Sequence, residues 1–472
     1  MVFKIKPYER KIFELISLTA KELDFPAYVV GGYVRDRILG RESNDIDIVC
    51  VGSGIRLAEA LAAKLRPIPR IAVYRRFGTA MIKHKDLEIE FVGARKESYN
   101  HNSRKPVVEE GSLEDDQNRR DFTINAMAVS LNDHDFGHII DPFGGIYDIE
   151  HKNIETPLEP GKTFSDDPLR MMRAVRFAAQ LNFKVHKNTL QSIEKYRYRI
   201  GIVSKERITT ELNKILLSQQ PSVGFKLLFD TKLLDLILPE LAALQGVEYR
   251  NGSGHKDNFY HTLQVVDNLR RKTDNLWLLW AALLHDIAKP PTKRFEPDHG
   301  WTFHGHEVVG ARWVPKIFKR LKLPLDHKMK YVQKLVRLHL RPISLTKEDI
   351  SDSAIRRLLF DAGDDIEDLL LLCNADVTSK NEKKVERIKK NYELVKQKLI
   401  EVEENDRIRN WQPPITGEMI MQQFNMHPCK DVGIIKDAIR EAILDGLIPN
   451  TFEAAKDFMI RKGEEMGFGE SC

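Results

Sequence analysis

The feature that most constrains this chain is a glycine pair followed, nine residues after Asp36, by two alternating carboxylates. Tyr28-Val29-Val30 is a β-rich run that ends in Gly31-Gly32. Residues 33–39 then carry helical spacing, and Asp45-Ile46-Asp47-Ile48-Val49 alternates charged with apolar as a strand does. Period-two alternation puts Asp45 and Asp47 on one face and sends Ile46 and Ile48 to the core. Two carboxylates that close repel unless a cation lies between them. Oxygen ligands with room for phosphate oxygens suit Mg²⁺. Such a pair can hold two metals, one activating an attacking hydroxyl and one steadying pyrophosphate. Beside it, the bare amides of Gly31-Gly32 at a helix start can hold phosphate, and Arg35 adds a cation. A DxD pair alone is more often a surface strand. The glycine turn beside it is what points to chemistry.

The rest of the first third is also mixed. Thr79–Lys83 and Leu87–Val92 read as strands joined by Lys85-Asp86, with Glu88 and Glu90 on one face of the second. Residues 94–118 have the polar composition of a mobile loop. After about residue 164 the strand signal fades. Residues 166–181, 204–218, 222–237, 276–288, 330–340, 352–361 and 366–376 all carry helical apolar spacing, and 381–405 is a charged helical stretch. The predicted class is therefore an α/β head followed by all-α domains. At 472 residues the chain is too long for one core. Seams near 157–161, 246–255 and 380–384 suggest a head over 1–145, a helical neck over 146–245, a third domain over 246–380 and a tail over 381–472. Four scattered cysteines, no secretory leader and no apolar run of membrane-spanning length predict a cytoplasmic protein. Net charge of +5 is compatible with a polyanionic partner without requiring one.

GGYVRD with the following DID resembles the first motif of the class II tRNA nucleotidyltransferases and bacterial poly(A) polymerases. Arg119-Arg120-Asp121-Phe122-Thr123-Ile124-Asn125-Ala126-Met127-Ala128 is similar to that family's second motif. The resemblance implies that Gly32, Arg35, Arg119, Arg120, Asp121 and Asn125 bind the triphosphate and ribose, and that Glu90 stands where relatives place a third metal-binding carboxylate. Asp141-Pro142-Phe143-Gly144-Gly145 resembles the family's hinge. Ser204–Leu216 is similar to its helix-stabilising motif, which gives Glu206, Arg207 and Glu211 a structural role.

Phe164-Ser165-Asp166-Asp167-Pro168-Leu169-Arg170 reads as a helix start with Ser165 as N-cap and acids in the first turn. Asp167, Arg170 and Arg173, spaced by three, then share one face, as an ion pair or as something more. Cytosine and adenine both offer an amino donor beside a ring-nitrogen acceptor, whereas guanine and uracil present the reverse. A carboxylate beside a guanidinium accepts the first pair and rejects the second, because mispairing leaves buried polar groups unmatched. The family's templating motif, usually Glu-Asp-x-x-Arg, is resembled by Asp166, Asp167 and Arg170, with Asp166 a departure. Arg173 and Arg176 are expected to face phosphate or base.

Downstream, His261, the adjacent His285-Asp286, and Asp376 lie in separate helical segments. A single histidine on an apolar face such as WLLWAALLHDIAKP is more often a core residue. The order His…His-Asp…Asp resembles the HD phosphohydrolase superfamily. Imidazole with carboxylate suits a divalent transition metal such as Ni²⁺, Mn²⁺ or Co²⁺. His306 and His339 are candidates for a second metal position, while His304 and His255 read as structural or surface residues. The resemblances together imply an enzyme that adds CCA to tRNA 3′ ends from CTP and ATP, with tRNA as partner and Mg²⁺ at the transferase site. A bacterial poly(A) polymerase is the nearest alternative. A hydrolase with an RNA-binding head is a remote one.

Overall fold

A computed structural model describes residues 3–98, 107–250, 253–254, 257–345, 351–378, 382–406 and 411–468. The chain forms two compact units, Met1–Pro239 and Glu240–Cys472. The boundary between them falls within the expected neck, whose residues 240–245 belong to the second unit. No helix among the described residues is long and apolar enough to cross a membrane.

The first unit is built on a seven-stranded sheet. After helix α1 (Pro7–Glu22) come β1 (Ala27–Val30), α2 (Gly32–Ile38), β2 (Asp45–Cys50) and α3 (Gly54–Lys64). Then follow β3 (Ile71–Tyr74), β4 (Thr79–His84) and β5 (Leu87–Gly93), and later β8 (Ala128–Ser130) and β9 (Ile139–Ile140). Strand order is β3-β4-β5-β2-β1-β8-β9. Within this sheet only β2 and β5 pair in parallel, because α3, β3 and β4 intervene between them. Ile46, Ile48, Ile89 and Phe91 are buried, as are Leu57, Ala58 and Leu61 on α3, which packs against β4 and β5. The alternation in Asp45–Val49 thus separates a packed face from an open one.

The expected loop at 94–118 is a correction. Its described residues form a hairpin of β6 (Arg95–Ser98) and β7 (Val107–Glu110), followed by α4 (Leu113–Asn118). Ser112 and Asp115 cap α4 reciprocally. Charge density alone hid a capped helix.

The expected helix over 166–181 is two helices, α5 (Pro160–Asp166) and α6 (Leu169–Leu181), with Asp167-Pro168 between them. Proline disfavours helical backbone at the residue before it, and Asp167 is extended. Glu159, not Ser165, caps the preceding segment, accepting from Gly161 and Lys162. Further along the first unit come α7 (Lys205–Leu216) and α8 (Pro221–Asp230). The run expected over 222–237 breaks at Lys232, whose φ is 61°.

The second unit is helical, as predicted, apart from short strands such as 294–296 and 300–302, a hairpin around Pro297 and Gly300 that the helical reading missed. Its principal helices are α9 (Asn258–Arg270), α10 (Leu276–Leu284), α11 (His306–Leu321), α12 (His327–Leu338), α13 (Asp352–Ala362) and α14 (Ile366–Asp376). α10 is apolar on nearly every side and central: Leu278–Leu284 are all buried. The charged α15 (Glu382–Asp406) leads to α16 (Gly417–Gln423), α17 (Lys430–Leu444) and α18 (Phe452–Glu465), which share a small core around Ile435, Ile439 and Met459. His255 and the seam residue Lys380 lie outside the described residues.

Candidate functional sites

The first site forms where β1 ends. Val30 pairs with Asp47, and the chain turns at Gly31 with φ of 75° into α2. A Cβ on residue 31 would sit 2.9 Å from Arg120 Nη1 and 3.1 Å from Asp47 Oδ2. Glycine thus serves both the left-handed turn and a close approach. Parallel register sets Asp45 beside Glu88 and Asp47 beside Glu90, so four carboxylates share the open sheet face. They line a cavity of about 650 Å³ together with Gly32, Arg35, Arg120, Asp121, Asn125, Arg173 and Arg176. Glu90 lies where the third carboxylate is expected. Glu88 and Lys214 line the same cavity and were not singled out for it. Burial pushes the Asp47 carboxyl up to about 6; Arg120 opposes, and Glu90 and Asp45 add to the rise. An all-oxygen donor set under mutual repulsion fits a hard divalent cation.

Opposite the acids lies a relay of side chains joining three segments. Arg35 Nη1 donates to Asn125 Oδ1 at 2.6 Å, and Asn125 Nδ2 donates to Asp121 Oδ1 at 3.0 Å. Arg173 Nε donates to Asp121 Oδ2 at 2.6 Å. Burial alone would raise the Asp121 carboxyl. Arg173, the Asn125 amide and Arg170 instead hold it down at about 2. Asp121 is thus a fixed charge that clamps the arginines. Arg35, Arg173 and Arg176 lie 4.9, 5.4 and 4.1 Å from the Phe177 ring centre. Arg176 pairs with buried Glu211 at 3.1 Å, which gives that glutamate the supporting role its motif implies.

Arg119 and Arg120 diverge. Arg120 reaches the carboxylate cavity, while Arg119 lines a neighbouring cleft of about 240 Å³ with Asp166, Arg170 and Glu97. Both are held by Asp116, which is fully buried. It accepts from Arg119 Nε at 3.0 Å and from Arg120 Nε and Nη2 at 3.0 and 2.8 Å. Burial opposes its charge, but the two guanidiniums hold its carboxyl below the usual range. Sequence reasoning missed Asp116. The available signal was an acid three and four residues before paired arginines on one helical turn.

The base-reading constellation is rearranged. Asp167 stands outside α6, and its Oδ1 accepts from Leu169 N at 3.1 Å. It is therefore not part of the helix that carries Arg170 and Arg173, contrary to the spacing-by-three expectation, but it caps that helix and its charge still acts on Arg173. Arg170 donates to the carbonyl of Arg119, which fixes its direction across to the second motif. Asp166 joins Arg170 in the Arg119 cleft, burial raising its carboxyl and Arg170 opposing. At the expected hinge, Gly145 has Thr123 O 2.5 Å from where a Cβ would stand, and its N–H donates to Asp141 Oδ1 at 2.7 Å. That glycine serves close packing.

The second site lies wholly within the second unit. His261 Nε2 is 2.8 Å from Asp376 Oδ1 and 3.6 Å from Asp286 Oδ2. His285 Nε2 is 3.2 Å from Asp286 Oδ2 and 3.6 Å from Asp376 Oδ1. On the other oxygen of Asp286, His306 Nε2 and His339 Nε2 lie at 3.2 and 3.8 Å, and 3.3 Å from each other. Asp286 thus joins two clusters, {His261, His285, Asp286} and {Asp286, His306, His339}, with Asp376 closing the first. All six expected residues converge. The exposed side chain of His304 stands apart, as expected.

The histidines are oriented from behind. Nδ1 of His285, His306 and His339 each lies 2.7 Å from a backbone carbonyl, of Ala282, Phe303 and Val336 respectively. An Nδ1–H donated there leaves the Nε2 lone pair facing the carboxylates, the usual support for a metal-binding imidazole. Buried His285 Nε2 makes no hydrogen bond among the described residues, and this orphaned atom aimed at two acids fits a metal ligand. Burial would lower the His285 imidazole, but Asp286 and Asp376 raise it to about 10. A proton and a divalent cation therefore compete for that nitrogen. His339 is held at about 3 by burial and by His285. Lys289 Nζ, which the sequence reading passed over, donates to Asp286 Oδ2 at 2.6 Å. The mixed nitrogen and oxygen donors suit a transition metal more than Mg²⁺.

Three family models match separate parts of the chain. Residues 27–155 match the poly A polymerase head domain, 182–245 the probable RNA and SrmB-binding site of polymerase A, and 258–381 the HD domain. An A-adding tRNA nucleotidyltransferase of Deinococcus radiodurans is 31% identical over 93% of this chain and 96% of its own. The multifunctional CCA protein of Stenotrophomonas maltophilia is 33% identical over 70% of this chain and 79% of its own. An A-adding tRNA nucleotidyltransferase of Aquifex aeolicus is 33% identical over 63% of this chain, a match that spans 35% of that relative's length.

Proposed function

The chain belongs to the family of tRNA nucleotidyltransferases and poly(A) polymerases, and from that premise we propose that it adds CMP and AMP, from CTP and ATP, to the 3′ end of tRNA. The observation that carries the reading is the open sheet face, where Asp45, Asp47 and Glu90, with Arg120 beside Asp47, share one cavity with Arg35 and Arg173. Mg²⁺ held by Asp45 and Asp47, with Glu90 as third carboxylate, would supply Lewis acidity toward the α-phosphate and the attacking 3′ hydroxyl. The Gly31-Gly32 turn and the arginines would hold the triphosphate so that pyrophosphate leaves along the cationic wall. Asp121 and Asn125 would keep that wall in place and meet the ribose. Arg170 and the acids before it would read the donor-acceptor edge that cytosine and adenine share.

The deciding experiment is incubation with tRNAs lacking one, two or all three terminal nucleotides and each labelled NTP, followed by product sizing. Completion to CCA from every start is the expected result. The relatives named for A addition favour a second reading, in which only the tRNA lacking its last nucleotide is extended. Unlimited adenylate tails would identify a poly(A) polymerase. Loss of less than nine-tenths of the activity in Asp45→Ala/Asp47→Ala would refute the site itself.

The second unit is proposed to be a phosphohydrolase working on 2′,3′-cyclic or terminal phosphates at RNA ends. His261, His285, Asp286 and Asp376 would hold one divalent metal, and His306 and His339 with Asp286 a second. Such a metal makes bound water acidic and orients it toward phosphorus. Ni²⁺, Mn²⁺ and Co²⁺ fit the donors.

A further inference from the structure

A cleft of about 490 Å³ lies between α11 and α12 on the second unit. Five cations line it: Arg312 from α11, and Lys330, Lys334, Arg337 and Arg341 from α12 and its continuation; Asp361 is the single acid in the lining. The α12 positions recur at intervals of four, three and four, so they form one stripe. At 1.5 Å per residue the stripe runs roughly 16 Å. Arg341 pairs with Asp361, and Lys334 pairs with Asp365 and donates to the Ala362 carbonyl at 2.8 Å. Arg312, Lys330 and Arg337 are exposed, and among the described residues none has a carboxylate within ion-pair distance. Three such charges around one concavity repel one another and gain by sharing polyanionic counter-charge.

We infer that this groove is a docking track for the phosphate backbone of an RNA strand, separate from both metal sites. The inference rests on the proposed RNA substrate. His306 begins α11 and His339 follows α12, and both are buried, whereas Arg312, Lys330, Arg337 and Arg341 are exposed, so the track lies on the outer face. A stripe of this length spans several backbone phosphates, more than the phosphates of one mononucleotide fill. Arginine and lysine without aromatic neighbours in the lining suit backbone contact, which positions RNA without reading bases.

The test is the full-length variant Arg312→Glu/Lys330→Glu/Arg337→Glu beside a charge-matched control, Arg271→Glu/Lys272→Glu/Arg294→Glu, whose sites are exposed and lie on neither α11 nor α12. Fluorescence anisotropy with end-labelled tRNA is read between 50 and 200 mM salt. The groove variant is expected to weaken binding about tenfold at the upper salt. It is also expected to flatten the salt slope by about one per contact, two to three in all. The control should stay within about threefold. Equal losses in both variants, or none in the groove variant, would overturn the track. Binding of inorganic triphosphate that the groove variant loses, with tRNA affinity unchanged, would make the cleft a small-anion site instead. Wild-type protein that fails to bind tRNA at all would overturn the transferase reading and the track together.

Discussion

Asp116→Ala should damage the transferase site from behind, without removing any group that lines the main cavity. Asp116 is fully buried and accepts from both Arg119 and Arg120, whose side chains are 18% and 15% exposed. Breaking a buried ion pair by deleting one partner costs about 3–5 kcal/mol when the remaining charge stays dry. Here both guanidiniums rehydrate in part, and Arg120 keeps the Asn125 carbonyl at 3.3 Å. A loss of about 2–4 kcal/mol follows, which lowers the melting temperature of a unit this size by roughly 5–15 °C. Arg120, no longer anchored, swings from its place beside Asp47, and transfer falls by about 10- to 100-fold. Asp116→Asn does not rescue, since its amide can accept from one arginine but turns a donor toward the other. Thermal melting by circular dichroism and single-turnover transfer of labelled nucleotide read the two effects. The same substitution in an Arg119→Met/Arg120→Met background should cost under about 1 kcal/mol, because nothing is left to anchor. Additive losses in that cycle, or an Asp116→Ala melt within about 1 °C of wild type, would refute the anchoring role.

Three further outcomes are expected. Arg170→Ala should admit UTP or GTP while retaining some transfer, with a smaller effect from Asp167→Ala because Asp167 also caps α6; unchanged C/A selectivity in both would place base reading elsewhere. His285→Ala/Asp286→Ala should remove divalent-metal phosphohydrolysis of small phosphoesters, assayed with Ni²⁺, Mn²⁺, Co²⁺ and Mg²⁺, and spare nucleotide addition; no hydrolysis by wild type with any of them would leave that cluster without a catalytic role. Without divalent cation, the folded pKa of Asp47, about 6, lies above the unfolded value of about 3.9, so the folded chain holds the extra proton between them. Stability should therefore fall as pH rises through that window, by roughly 3 kcal/mol from this group, and added Mg²⁺ should raise the melting temperature more at pH 7.5 than at pH 5. An Mg²⁺ increment independent of pH, or unchanged by Asp47→Asn, would remove Asp47 from the metal site.

Much of both sites was legible because strand periodicity and helix spacing are local. Asp45 and Asp47 share a face for the same reason that Ile46 and Ile48 are buried. The glycine turn announces itself through residues that tolerate its backbone. Pairing partners are not local. That Glu88 and Glu90 stand beside Asp45 and Asp47 depends on a parallel register set across three intervening elements. Asp116 was hidden in a charged stretch whose composition matches a loop as well as it matches a capped helix. The continuous helix expected over Asp167, Arg170 and Arg173 breaks at Pro168, which leaves Asp167 extended ahead of α6 while its charge still acts on Arg173. The HD cluster was found through a family resemblance and not through periodicity, since His261, the pair His285-Asp286, His306, His339 and Asp376 come from five separate segments of the chain.

The cavity of the first unit has two poles. Arg35, Arg173 and Arg176 crowd around the Phe177 ring at one end, while Asp45, Asp47, Glu88 and Glu90 crowd the open strands at the other. Asp121 and Glu211 offset part of the charge at the first pole and Arg120 part at the second, so each keeps only a residual preference for the opposite sign. A bare triphosphate satisfies the arginines and confronts the acids, and a bare cation does the reverse. A magnesium–triphosphate complex carries both signs in one body and quiets both poles in a single step. On the proposed function, the cleft would favour its two occupants as a pre-formed salt over either one arriving alone, a preference set by charge layout without any moving part.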